Sequence, residues 1–128
     1  MVASNITDPS LGTVRIPHGG EEVYERKWLR VKATWSYVYD SYYKEYDWFY
    51  FCNDMVFLLF ENLRSYLESH ELQAASSFVH PNSTGQNPVF LGRRFALGGD
   101  RNDIFNAGGP GYVLNKAALK LFVTQAED

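Results

Sequence analysis

Tyr24, Trp28, Val31, Trp35, Val38, Tyr42 and Tyr46 recur at steps of three and four residues. That spacing lays them along one stripe of a helix over 21–46, with Lys27, Arg30 and Lys32 off the stripe. Glu21, Glu22 and Glu25 fall in its first turns, where the helix dipole favours acids. The stripe is expected to pack against a sheet. Asp47-Trp48-Phe49-Tyr50-Phe51-Cys52 follows with almost no polar alternation, as in a strand buried on both faces. Cys52 reads there as a small buried hydrophobe. Asn53-Asp54-Met55 breaks the run, and a helix is expected from Glu61 to about His70.

Residues 73–88, with Ser76-Ser77, Pro81 to Gly85 and Pro88, read as a long polar connection. Val89 to Phe95 is a second strand candidate, Gly98 to Asn102 a turn, and Asn106 to Gly111 a glycine-dense loop. Tyr112 to Val123 fits a short strand running into a helix. Residues 1–20 read as loop around a short extended piece, Thr13 to Ile16. Helix, strand, helix, strand, helix predicts an α/β domain with helices packed on a central sheet. Ligands in such folds collect beyond the carboxyl ends of strands, where Asn53-Asp54-Met55 stands.

A chain of 128 residues is long enough for one domain and too short for two. Its net charge of −3 argues against a nucleic-acid partner, which calls for a basic excess on one face. Hydrophobic residues at 45% supply enough apolar surface to offset the entropy of ordering. One cysteine allows no internal disulfide, and His18, His70 and His80 lack ligand-like spacing. Twelve of the aromatics lie between Trp35 and Phe60, which marks a core or an aromatic-lined groove. The first residues lack the basic and apolar regions of a signal peptide. The apolar run Met55 to Phe60 is too short to span a bilayer, so the chain is expected to be soluble.

Four features have chemical potential. Asp54 at a strand end can hold a hard divalent cation that neutralises a diphosphate, although a lone Asp in a turn is commonly structural. Gly108-Gly109-Pro110-Gly111 lets backbone approach a ligand, and a tight turn accounts for it equally. Arg93-Arg94 can meet a phosphate bidentately or form a solvated pair. Asn5-Ile6-Thr7 and Asn82-Ser83-Thr84 are N-glycosylation sequons in expected loops.

The order of these pieces carries a resemblance. Asp47-Trp48-Phe49, Asn53-Asp54-Met55 and Glu61-Asn62-Leu63-Arg64 resemble, without a gap, the D-W-F, D-D-D and E-N-L-R signature of core 1 β1,3-galactosyltransferases, relatives of the Fringe proteins. Trp28, Lys32 and Tyr37-Val38-Tyr39 resemble the tryptophan-containing helix that precedes it. Phe90 to Phe95 resembles the family's F-G-R-R-F strand, and Asn106 to Lys120 its S-G-G-x-G-Y-V-L-S-K-x-A-L-K block. The matches run in order over roughly residues 10–123.

The resemblance implies part of a GT-A, Rossmann-like glycosyltransferase domain. The implied reaction is inverting transfer of galactose from UDP-galactose to the 3-hydroxyl of peptide-linked GalNAc, with the partners a UDP-sugar donor and an O-GalNAc glycoprotein. It assigns donor and acceptor contacts to Asn53, Asp54, Arg93, Arg94, Gly108, Gly109, Gly111 and Tyr112. It also implies Mn²⁺ held at Asp54, and a base in an E-D-V-type motif expected somewhat later in the chain; Ala126-Glu127-Asp128 is either its beginning after a shortened loop, with Glu127 and Asp128 the candidates, or a chance match. The implied location is the lumenal side of the Golgi membrane.

Two departures alter the expectation. The acidic triplet is Asn53-Asp54-Met55, with one carboxylate and a thioether that ligates Mn²⁺ poorly. Mn²⁺–UDP is therefore expected to bind weakly or not at all, and Met55→Asp to strengthen it. Set against the family, the chain is also expected to be a fragment that begins after the first nucleotide-binding strand and the anchor. Two further readings stand beside the enzyme: a degenerate, inactive member that keeps the fold and a sugar-binding loop, and an interaction module that uses the aromatic segment.

Overall fold

The computed structural model describes residues 1–4, 6–17, 27–77 and 86–125. The chain has mixed α/β architecture, as the hydrophobic pattern predicts. It divides into two compact units, residues 1–45 with 122–128, and residues 46–121.

In the first unit, β1 (Val2–Ser4) and β2 (Thr13–Arg15) pair in parallel. The Asp8 carboxylate accepts from the Ser10 N–H at 2.9 Å and the Ser10 hydroxyl at 2.6 Å, closing the turn between them. These bonds hold the Asp8 carboxyl below the usual range for an aspartate. Of the helix expected over 21–46, residues 21–26 lie outside the described residues; helix α1 spans Lys27–Tyr42 and stops four residues short of the expected end. Trp35 is 2% exposed, as its place in the stripe predicts. Trp28, expected on the same buried face, is instead 56% exposed and meets the Phe122 ring edge-on at 5.6 Å. It stands in the first turn, where the stripe has yet to enter the core. Tyr46, expected to end the helix, is exposed beyond it.

The second unit is built on a three-stranded antiparallel sheet. Its strands are β3 (Trp48–Phe51), β4 (Phe90–Gly92) and β7 (Tyr112–Asn115), with β7 in the middle. Phe51 pairs with Tyr112, and Tyr112 with Gly92, so β3 and β4 end together where β7 begins. Phe49, Val113 and Leu114 are buried, while Trp48, Tyr50 and Phe51 are half-buried. The aromatic strand is thus an edge strand, less enclosed than its composition suggested. Cys52, expected to be buried, is exposed because β3 ends one residue before it.

Helices α2 (Phe60–Leu67) and α3 (His70–Ser77) follow β3. Helix α3 occupies the start of the segment expected to be a polar connection. The expected strand Val89 to Phe95 breaks at Arg93: β4 stays in the sheet, and β5 (Arg94–Ala96) forms an exposed hairpin with β6 (Ile104–Asn106). Helix α4 (Lys116–Gln125) grows directly from β7.

Asn115, 1% exposed, ties these pieces together. Its Oδ1 accepts from the N–H groups of Val89 and Ala118, each at 2.9 Å, and so caps α4. Its Nδ2 donates to the Asn87 carbonyl at 2.7 Å and to the Ser76 hydroxyl at 3.2 Å. Every hydrogen-bonding position of this buried amide side chain is engaged. Among the described residues, no helix is long and apolar enough to cross a membrane.

Candidate functional site

The sheet end shared by β3, β4 and β7 gathers most of the residues singled out in the sequence. Asn53 and Asp54 leave the end of β3, Arg93 and Arg94 leave the end of β4, and the 108–111 loop leads into β7. Asp54 and Gly108 therefore stand at one end of the sheet. Glu127, Asp128, Asn5 and Asn82 lie outside the described residues, as do His18 and His80.

A cleft of about 500 Å³ opens here, in the size range of small-molecule sites. Tyr66, Phe90 and Tyr112 supply aromatic walls, Arg94 and Asn106 supply polar groups, and Gly111 lies at its margin. The Tyr112 ring stacks on Phe51 at 5.4 Å and takes the edge of Phe90 at 5.3 Å, which fixes its orientation. Arg93 places its guanidinium carbon 5.4 Å from the Phe95 ring centre, while Arg94 turns to the cleft. The Arg93 carbonyl accepts from the Ala107 N–H at 2.9 Å, joining the arginine pair to the start of the glycine loop.

The glycines differ in what they do. Gly111 has φ +83°, and a Cβ there would lie 2.6 Å from both the Phe51 carbonyl oxygen and the Tyr50 hydroxyl. The fold itself requires glycine at that position. Gly108 and Gly109 lie outside the left-handed region, with nothing within 4 Å of an added Cβ. Neither backbone conformation nor packing demands glycine at these two positions, so the loop's outer surface is left open.

The Asn53-Asp54-Met55 corner offers few cation ligands. The Asn53 side-chain oxygen accepts from the Met55 N–H at 3.0 Å, closing its own turn. Met55 is 86% exposed, and Asp54 is the only carboxylate of the three. Among the described residues, no three His, Cys, Asp or Glu side chains converge. Asn53 and Asp54 sit at the same sheet end as the cleft but do not line it.

Sequence reasoning passed over Tyr50, Tyr66, Phe90 and Asn106. Tyr50 donates its hydroxyl to the Pro110 carbonyl at 3.0 Å. Burial pushes its phenol pKa up, with a smaller contribution from Cys52. In the sequence it is one aromatic among four in β3, and only strand alternation distinguishes it from Phe49 and Phe51.

No family model and no solved structure matches the chain. The chain is similar to glycoprotein-N-acetylgalactosamine 3-beta-galactosyltransferase 1 of Xenopus laevis, with 29% identity over 123 residues. The match covers 94% of this chain and 29% of the length of that relative.

Proposed function

We propose that this chain is a glycosyltransferase-like domain that binds a UDP-sugar at the shared end of β3, β4 and β7. The observation that carries the reading is one cleft walled by Phe90 and Tyr112 that Arg94 enters and that the Gly108–Gly111 turn reaches through Gly111. Similarity to a galactosyltransferase along nearly the whole chain supports galactose as the sugar and O-linked GalNAc as the acceptor. On this reading Tyr112 and Phe90 offer rings to the uracil or the sugar, and Arg94 offers paired N–H donors to the diphosphate. In the transfer, the acceptor's 3-hydroxyl attacks the anomeric carbon, a base takes its proton, and UDP leaves. Glu127 and Asp128 are the candidates for that base. The Golgi lumen is the corresponding location.

The residues at the metal corner do not suit Mn²⁺. A hard cation wants several anionic oxygens, and here one carboxylate stands beside a committed amide and a thioether. On this reading Arg94, rather than a metal, offsets the charge of the diphosphate. This poverty of ligands also favours a second reading, a sugar-nucleotide-binding relative that has lost catalysis.

Calorimetric titration of UDP into the chain, with Mn²⁺ or with chelator, tests both. Binding that is indifferent to Mn²⁺ and weakened about tenfold or more by Arg94→Ala is expected. Met55→Asp should introduce Mn²⁺ dependence at little cost in stability, because Met55 is exposed. Tight binding by the parent only with Mn²⁺ contradicts the arginine assignment. No UDP binding by the parent or by Met55→Asp under either condition contradicts the site.

A further inference from the structure

Tyr50 lies in β3 with its hydroxyl 3.0 Å from the Pro110 carbonyl oxygen, across sixty residues of sequence. Its ring end rests on the next residue of that loop. A Cβ at Gly111 would stand 2.6 Å from the hydroxyl and 2.8 Å from Cζ. The Gly111 N–H in turn donates to the Gly108 carbonyl at 3.1 Å. One phenol therefore both bonds and supports the turn that presents Gly108 and Gly109. Nothing else described from outside the loop reaches Pro110 by a side-chain hydrogen bond.

We propose that Tyr50 is a positioning residue, which holds the Gly108–Gly111 turn at the cleft so that its open backbone meets the ligand. The inference rests on the sugar-nucleotide reading for what the loop binds, but not for the mechanical role of the phenol. Gly111 is then glycine for the sake of Tyr50 and Phe51, while the open space around Gly108 and Gly109 leaves their backbone accessible. Alternation along β3 turns Phe49 and Phe51 to the opposite face, so neither can replace Tyr50 in this role.

Tyr50→Phe removes one oxygen and keeps the ring. Amide hydrogen exchange is the primary assay on the full chain. Gly111 exchange is expected to accelerate about three- to tenfold, the scale of one lost hydrogen bond, while Val113 inside the sheet is unchanged. Titration of UDP-galactose should show affinity falling by a similar factor, with the melting temperature close to that of the parent. In the unsubstituted protein, a nuclear Overhauser contact from the Tyr50 ring to the Gly111 α-protons is expected, and this requires no variant to fold. Unchanged Gly111 exchange in Tyr50→Phe, or absence of that contact in the parent, overturns the inference. Accelerated Gly111 exchange with no UDP-galactose binding by the parent leaves the positioning role standing and removes the ligand reading instead.

Discussion

Gly111→Ala and Gly108→Ala are the same chemical change, three residues apart in one loop, and should have opposite consequences. At Gly111 the added methyl meets the Phe51 carbonyl oxygen, which belongs to the β3 backbone, and the Tyr50 hydroxyl, both at 2.6 Å. A side chain at φ +83° costs on the order of 1–2 kcal/mol. Overpacking against backbone costs about 1–3 kcal/mol more. Displacing Tyr50 also removes its bond to Pro110, worth about 1 kcal/mol. Together these come to roughly 3–6 kcal/mol, a large share of the 5–15 kcal/mol typical of a domain. For a chain of this length the melting temperature should fall by about 10–20 °C. At Gly108 the methyl meets nothing and the backbone suits any L-residue, so stability should hold or rise by about 0.4–1 kcal/mol through a less disordered unfolded state. Thermal melts of the two variants beside the parent decide the matter. A Gly111→Ala melt within about 2 °C of the parent, or an equal fall for Gly108→Ala, refutes the division of the loop into a fold-bearing and a ligand-facing glycine.

Asn115→Ala strands the buried N–H groups of Val89 and Ala118 and leaves the half-buried Asn87 carbonyl without this donor, and should cost about 3 kcal/mol or more in chemical denaturation. Asn115→Asp, which keeps the cap, should recover part of that loss. Trp35→Ala empties a site 2% exposed and should cost about 3–5 kcal/mol, leaving the chain unfolded or nearly so by circular dichroism. The Tyr50 phenol has its pKa raised in the folded state, chiefly by burial. Its contribution to stability is therefore complete below the unfolded value near 10.0 and lost as pH rises through the folded value. Denaturation midpoints of the parent should fall more steeply than those of Tyr50→Phe between about pH 9 and 11.

The parts of the fold legible in the sequence are those where one periodicity dominates. The three-four stripe through Trp35 and the unbroken aromatic run of β3 announced their elements, as did the passage from Tyr112 into α4. The second half of helix α3 is hidden in the sequence because Ser76-Ser77 and the proline- and glycine-bearing residues 81–88 after it favour turns locally. The helix is held from outside, through Leu72 in the core and Ser76 on Asn115. The β5–β6 hairpin is exposed along nearly its whole length, so it carries no inside–outside alternation to read. The break at Arg93 is invisible for the same reason, since apolar and basic residues face solvent alike there. At the site, Arg94 and the glycine loop were legible as residue types. Their meeting with Tyr112 depends on the register of β7 between β3 and β4, and only strand pairing sets that. Tyr50 was missed because its partner lies sixty residues away.

The central claim is that a sugar nucleotide binds at the shared end of β3, β4 and β7. Amide chemical-shift mapping during titration with UDP-galactose tests it most directly. The account predicts saturable shifts concentrated at Gly92 to Arg94, Asn106 to Tyr112 and the Phe51–Asp54 corner, with β1, β2 and the body of α1 silent. Shifts concentrated on another surface, or none up to millimolar ligand, contradict it.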